Sequence, residues 1–419
     1  MTALILLVFL GSAVVAIPIA HALLVAALAA AATSDSVPLD LLVQQMVAQV
    51  QSFPLIAIPF FMLTGSLMMG GKLGEALIGV LSTLIGRFHG GPGQVGVMSS
   101  TIFGGVSGSA VADASAIGSL LIPWQKRLGY PPAFSAATLA AAATIDILIP
   151  PSIPMILFAL ASNTSVSALF VAGILPGLLM CGGFMVVCWR VGRRRNFPRE
   201  TRKLEWTTFR QQLMYASPAL VLPVLIVVIL RFGIATPTEV SVLSTLYAGV
   251  VSALIYRDLG WKRLHACVVD AGLASGVVLL VIMASSAIGW LLTFDRMPDG
   301  IVGWAQTHLS SGWSVILLMN LLMLVCGMFI DLPAAVLLLT PVFVPLANAI
   351  GMDLVQLGIM MTVNLAIGLY TPPVGTTLFI TSAVAKVKVG ETVRELGPFY
   401  LVAFGVLALV SYVPGLIFK

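Results

Sequence analysis

Asp113 to Pro123 reads DASAIGSLLIP, and Asp331 to Pro341 reads DLPAAVLLLTP. Asp, Ala, Leu, Leu and Pro coincide at a constant offset of 218 residues. Further on, Gly129 precedes Pro150-Pro151 by the interval at which Gly351 precedes Pro372-Pro373, now at an offset of 222. The four-residue difference between offsets is assigned to the connecting loop. Proline cannot donate a backbone hydrogen bond and clashes with the preceding helical turn, so a Pro-Pro pair breaks a helix. Each copy therefore reads as a hairpin followed by a broken helix, and self-similarity of this kind marks a duplicated unit.

The two copies lie in a very apolar chain. Of its 419 residues, 59% are hydrophobic and 9% charged, with 21 Lys+Arg against 16 Asp+Glu. Mean hydropathy is +1.08. A soluble domain carries roughly a quarter charged residues, because a folded chain cannot hide all its apolar groups. A soluble enzyme, a disordered chain and a secreted disulfide scaffold are thereby excluded. Cys181, Cys188, Cys267 and Cys326 lie in apolar runs without metal or framework spacing and read as small core residues. The fold class that remains is an all-α polytopic membrane protein.

A span needs about 20 apolar residues. Clear candidates run near 4–30, 53–70, 166–189, 217–231, 236–256, 266–291 and 396–416. The first lacks the basic flank of a cleaved signal peptide and is expected to be one retained helix. Four further apolar stretches, 92–124, 132–161, 313–347 and 354–385, are interrupted by Gly, Pro and Ser. Such breaks are tolerated at membrane depth only where backbone is buried in protein or lines a wet cavity. Residues 39–52, 73–87 and 298–309 are amphipathic and read as interfacial helices or polar helical loops.

Basic residues set the orientation. The run Arg190, Arg193, Arg194, Arg195, Arg199, Arg202, Lys203 is a short connector between spans, too short for a nucleic-acid surface, and reads as cytoplasmic. Treating 92–124 and 313–347 as re-entrant hairpins puts 18 of the 21 basic residues inside, leaving Arg231, Arg296 and Lys419 outside. The N-terminus is then cytoplasmic and the C-terminus periplasmic. The two copies have opposite orientations, one unmatched span near 217–231 inverting the second. Inverted repeats with broken helices near the midplane are the architecture of secondary transporters. The expected divisions are scaffold helices and an arm (1–90), a first transport repeat (91–165), scaffold with a basic loop and second arm (166–312), a second transport repeat (313–390) and a C-terminal scaffold helix (391–419).

Phe103-Gly104-Gly105-Val106-Ser107-Gly108-Ser109-Ala110 with Asp113, LIPPSI at 148–153, AGILPG at 172–177, TPTE at 236–239 and NLAIGLYTPPVG at 364–375 follow one another across nearly the whole chain. In order and spacing they resemble the large membrane subunit (M subunit) of tripartite ATP-independent periplasmic (TRAP) transporters. The resemblance implies sodium-coupled import of a small carboxylate across the bacterial inner membrane. It implies an ion-transporter-like fold whose transport domain moves against a scaffold like an elevator. It also implies two partners, a small four-helix membrane subunit and a periplasmic substrate-binding protein.

The interrupted segments carry the chemistry such a protein needs. Sodium wants oxygen ligands, which carbonyls at a broken helix end supply. A carboxylate wants the free N–H groups of a helix N-terminus. The expected sodium-binding residues are Ser107, Gly108, Ser109, Asp113, Asp146 and Pro150 in the first copy, and Gly327, Asp331, Gly368 and Thr371 in the second. Expected to face the substrate are Ser107, Ser109, Pro151, Ser152, Asn364, Pro373, Gly375 and Thr376. The plain structural reading competes at each: Ser and Gly pack helices closely, and Asn364 makes an interhelical hydrogen bond. That reading fails for Asp113, because an intramembrane carboxylate is functional by default. Asp331 is taken as its symmetry mate. The family resembled commonly has Gly at the position of Asp146, whose repeat mate is Gly368, so its role as ligand, proton site or water-facing group stays open. Asp270 is expected to pair with Arg263 or Lys262.

Three rivals stand beside this, one of them an ATP-driven permease, for which the chain carries no P-loop. Gly105-Val106-Ser107-Gly108 fits the G-x-S-G of intramembrane serine proteases, but only His21 of the four histidines lies well inside an expected span. The third is a self-sufficient sodium–carboxylate symporter or antiporter of related fold.

Overall fold

The computed structural model describes residues 1–15, 17–33, 37–69, 71–199, 206–309 and 311–416. Arg202, Lys203 and Lys419 of the charge tally lie outside the described residues. Regular structure among the described residues is entirely helical. By length and composition seven of these helices can cross a membrane, or eight if the pair Leu39–Val50 and Phe53–Met69, bent by 58°, counts as one span.

The chain opens with α1 (Thr2–Val14) and α2 (Ile19–Ala32), which pack on each other as a hairpin. The single span expected over 4–30 is therefore not formed. Pro18 lies at the N-cap of α2, and a window count of apolar residues ignores it. There follow α3 (Leu39–Val50), α4 (Ala57–Met69) and α5 (Lys72–Ile85). Next come the first hairpin, α6 (Gly91–Ser107) and α7 (Ala110–Arg127), and the first broken helix, α8 (Pro132–Ala142) and α9 (Ile153–Ser162). Four long elements follow: α10 (Val166–Arg194), α11 (Trp206–Arg231), α12 (Pro237–Val250) and α13 (Trp261–Phe294). An amphipathic arm, α14 (Met297–His308), leads to the second hairpin, α15 (Gly312–Phe329) and α16 (Leu332–Ala349). The second broken helix, α17 (Leu354–Gly368) and α18 (Thr376–Ala385), precedes α19 (Val389–Tyr412).

The copies align at one offset throughout. Ser107 and Phe329, Ala110 and Leu332, Arg127 and Ala349, Pro132 and Leu354, and Pro150 and Pro372 all stand 222 residues apart. The 218-residue match of the two DxxA segments is thus one helical turn out of register, and no loop difference exists. A shift of four residues keeps the same face of a helix outward, so Ala and Leu positions still coincide. By helix position the mate of Asp331 is Ser109; that of Asp113 is Ala335.

Fixed contacts show which end of the molecule each element reaches. At the start of α13, Arg263 pairs with Asp258 at 2.5 Å and donates to the Leu67 carbonyl at 2.7 Å, so the end of α4 lies beside this basic loop. Arg263 is thus taken by Asp258, not by Asp270. Arg195, just past α10, pairs with Glu395 of α19 at 2.8 Å. Gly90, before α6, meets Gly192 of α10 so closely that a Cβ on Gly192 would lie 2.5 Å from it. The base of the first hairpin is therefore at this basic end. With 34 residues, α13 carries the chain about 51 Å away. There Asp295 accepts from the Thr2 amide at 2.9 Å and its hydroxyl at 2.5 Å, and lies 3.6 Å from the N-terminal ammonium. The N-terminus thus lies at the end of α13 opposite the basic loop, whereas the charge tally put the two together. Trp313, at the base of the second hairpin, stacks on Tyr412 at the end of α19. The two hairpins open toward opposite ends.

The core is centred on α8 and α17. Every residue from Phe134 to Ala142 and from Gln356 to Gly368 is buried. Helices apolar on all sides belong in such interiors. Between them, Thr377 of α18 donates to the Ala140 carbonyl at 3.1 Å and the Leu369 carbonyl at 2.9 Å, stitching one broken helix to the other.

Candidate functional site

The hairpin tips and helix breaks meet at a cavity of about 370 Å³. Gly108, Ser109 and Ala110 come from the first tip, and Asp331, Leu332 and Pro333 from the second. Leu369 and Thr376 flank the second break, while Ile147 and Pro154 belong to the first. Met62 of α4 and Ala274, Val277 and Val278 of α13 form the opposite wall. Sequence reasoning missed that wall, because nothing marks Val277 or Val278 among the other apolar residues of a span.

The first tip is built on a reversal. Gly108 has φ +63°, and a Cβ there would meet the Pro151 carbonyl oxygen at 2.6 Å. Ser109 then caps α7, its hydroxyl accepting from the Ala112 amide at 3.4 Å. Beneath the tip, Asp146 is fully buried and its carboxylate accepts three bonds. These come from Ser107 Oγ at 3.0 Å, the Gly108 amide at 3.1 Å and the Ser109 amide at 3.0 Å. Gly104 makes room for it: a Cβ there would sit 2.5 Å from Asp146 Cα. Pro150, Pro151 and Ser152 are buried within the break, and both Pro-Pro bonds, Pro150-Pro151 and Pro372-Pro373, are cis. Ser152 caps α9 and donates to the Ile147 carbonyl at 2.6 Å.

Asp113 lies one turn into α7, wholly buried, with Ser100 and Asp146 as polar neighbours. Neither of its oxygens makes a hydrogen bond, and the Ser100 hydroxyl has no partner either. Buried polar atoms are paired as a rule, and an unpaired carboxylate is costly. Orphaned oxygens of this kind fit a small cation.

The second copy offers backbone oxygens. Gly368, ending α17, meets Gly327 of α15 so closely that a Cβ on Gly368 would lie 2.4 Å from the Gly327 carbonyl carbon and oxygen. The Thr371 amide donates to the Gly368 carbonyl at 3.0 Å, and its hydroxyl to Ile367 at 2.6 Å. The Val374 amide reaches back to the Met328 carbonyl at 3.3 Å. Asp331 occupies the N-cap of α16, makes no capping bond there and is partly exposed to the cavity. Thr376 begins α18 with its hydroxyl unpartnered, and Gly375 before it has φ +34°.

Of the residues singled out from sequence, Gly108, Ser109, Asp331 and Thr376 thus line one cavity. Ser107, Asp113, Asp146, Pro150, Pro151 and Ser152 lie behind the first tip; Gly327, Gly368, Thr371 and Gly375 form the second hairpin–break junction. Pro373 points out to an exposed position. Asn364 lies away from the cavity, donating to the carbonyl and side-chain oxygens of Asn320 at 2.9 and 2.8 Å. Thr377 and Gly104 were not foreseen. The placement of Gly104 beside Asp146 has no sequence signal, and Thr377 is marked only by following Gly375 and Thr376.

The family profile described as tripartite ATP-independent periplasmic transporter, DctM component, matches residues 4–416. The chain belongs to the TRAP large-permease family. An uncharacterized protein, y4mL, of Sinorhizobium fredii is 54% identical over 419 residues, 99% of each chain. The 2,3-diketo-L-gulonate TRAP transporter large permease protein YiaN of Escherichia coli is 36% identical over 411 residues, 97% of this chain and 96% of that one. Among solved structures, the YdaH transporter of Alcanivorax borkumensis superposes with TM-score 0.63 at 15% identity, covering 90% of this chain and 89% of that one. That likeness concerns the fold alone. As a TRAP large permease the chain is a multi-pass membrane subunit of a secondary transporter, and no enzyme family is indicated.

Proposed function

We propose that this TRAP large permease imports a small carboxylate through the cavity between its two hairpin tips, driven by sodium. The observation that carries the reading is the convergence of both tips and both helix breaks on one cavity. The carboxylate would lie against the N-terminal ends of α7 and α18, where Ser109 presents a free hydroxyl donor and Thr376 a free hydroxyl and amide. The donor set fits sodium at two places. Asp113, with Ser100 and the carbonyls of the tip and the Pro150 break, offers a charged first site. The carbonyls of Gly327, Gly368 and Thr371 offer a neutral second one.

The single 222-residue offset and the opposite opening of the hairpins support an inverted repeat. The hairpins with their broken helices form the part that slides, elevator-like, along α4 and α13. With the basic loops cytoplasmic by the positive-inside rule, both termini face the periplasm of the inner membrane. The partners in this reading are a small four-helix membrane subunit and a periplasmic binding protein that delivers the acid.

The test is uptake into proteoliposomes under an imposed sodium gradient without ATP, with and without both partners. Uptake only with partners and only with inward sodium is the expected result. Uptake by this chain alone would instead favour a self-sufficient symporter, and uptake indifferent to sodium would sink the coupling. Asp113→Asn is expected to weaken the sodium dependence while leaving docking of the binding protein intact.

A further inference from the structure

We propose that Asp146 is a positioning residue that fixes the first tip to the first helix break without a bound ion, leaving the second tip to be ordered only by what binds there. The inference rests on the transport reading of the cavity given above. Its basis is a difference between two positions that are mates in the repeat.

The tip of a helical hairpin exposes backbone N–H groups that have no intrahelical partner. At the first tip two of these, Gly108 and Ser109, are taken by Asp146, together with the Ser107 hydroxyl. Hydrogen bonds to a carboxylate are the strong kind, and here the carboxylate is fully buried. The tip is also pressed against the break from the other side, where Gly108 leaves no room for a Cβ above the Pro151 carbonyl. Asp146 does not itself line the cavity, so its effect on substrate passes through Ser109.

At the second tip the corresponding position is Gly368. It has no side chain to reach with, and the close Gly327 backbone forbids one. What remains is the single backbone bond from Val374 to Met328 at 3.3 Å, while the Asp331 carboxylate caps nothing. One tip is tethered by a buried carboxylate, the other by a single backbone bond. Local opening follows such differences, since segments with few buried bonds open at low free energy.

Hydrogen–deuterium exchange of the purified full chain in sodium-free buffer, read by mass spectrometry, tests this directly. Peptides covering Ser107–Ala110 are expected to exchange at least about tenfold more slowly than those covering Phe329–Leu332. Sodium is expected to slow the second tip by a larger factor than the first, which Asp146 already holds. Asp146→Ala should raise exchange at the first tip by about tenfold or more; Asp146→Asn, which keeps one acceptor oxygen, should fall between. Should Asp146→Ala not fold, the wild-type comparison and Ser107→Ala, which removes one donor of three, still decide. Equal exchange at the two tips of the wild type, or a folded Asp146→Ala with a first tip as slow as wild type, would overturn the proposal. Sodium-driven uptake measured after reconstituting the same preparations with both partners separates the two readings. A fast first tip with sodium-driven uptake refutes the tether alone; a slow first tip without uptake refutes the transport reading.

Discussion

Gly368→Ala acts at the tightest backbone approach of the second hairpin–break junction. The added Cβ would sit 2.4 Å from the Gly327 carbonyl carbon and oxygen and 2.7 Å from its Cα, where ordinary contact begins at 3.4 Å. These are backbone atoms, so no side chain can swing aside. The end of α17 and α15 must part by about 1 Å, and overpacking of this kind costs roughly 1–3 kcal/mol. The parted atoms include the proposed carbonyl ligands of the second sodium site. If the strain falls on the bound geometry, sodium affinity drops about 5- to 150-fold, at 1.4 kcal/mol per factor of ten. The assay is the sodium dependence of thermal stability in detergent, because a ligand of the folded state stabilises it by RT ln(1 + [L]/Kd) and so raises the melting temperature. Gly118→Ala is the control: its Cβ meets only Ile122 Cδ1 at 3.8 Å and Thr381 Cγ2 at 4.0 Å. That variant should keep the wild-type sodium midpoint and gain up to about 1 kcal/mol from helix propensity. A Gly368→Ala protein with the wild-type melting temperature and sodium midpoint would refute the close-approach argument and the second site with it.

Thr377→Val keeps the shape of the side chain but removes the hydroxyl that bonds Ala140 and Leu369, so stability should fall by about 1–3 kcal/mol, measured as a lowered melting temperature. The bonds from Thr2 hold the Asp295 carboxyl below the usual carboxylate range. A depressed folded value means the tether is at full strength above the ordinary carboxylate pKa of about 4 and is lost as pH falls through the lower folded value. A spin label at Ala3 should accordingly be immobile at neutral pH and loosen only in strong acid, whereas Asp295→Ala should leave it mobile at every pH. Glu239 closes the capping box of α12, accepting from the Thr236 amide at 2.7 Å and from its hydroxyl at 2.9 Å. Glu239→Ala should fray the start of α12, read as faster amide exchange there at neutral pH.

Much of this architecture was legible in the amino-acid order. The scarcity of charge excludes a soluble fold, and the two Pro-Pro pairs mark the breaks where the structure has them. What escaped did so for physical reasons. The 218-residue match between Asp113–Pro123 and Asp331–Pro341 reads apolar positions, and an apolar helix looks much the same after one turn. Only the helix ends, which depend on the tips closing, reveal the 222-residue register. The α1–α2 hairpin was hidden because hydropathy averages over Pro18. The partners of Asp146 lie 37 to 39 residues away in sequence and come together only when the tip folds back over the break.

The corrected register changes what the intramembrane acids mean. Asp113 now stands opposite Ala335, Asp146 opposite Gly368 and Asp331 opposite Ser109, so each acid has a neutral mate. The two copies share helix bounds at one offset but differ in charge, with two carboxylates behind the first tip and one at the second. Asp146 is satisfied by three donors; Asp113 is left without any. A cation held beside Asp113 pairs with its carboxylate, and the neutral pair adds little to the field in the cavity. A cation held among the uncharged carbonyls of Gly327, Gly368 and Thr371 adds a net positive charge next to the start of α18, where a carboxylate would bind. Opposite charges so close in a low-dielectric interior attract strongly. Under the proposed reading the two ions thus divide the labour. The first stabilises the fold around Asp113, and the second draws the substrate, so the strength of substrate binding should follow occupancy of the second site.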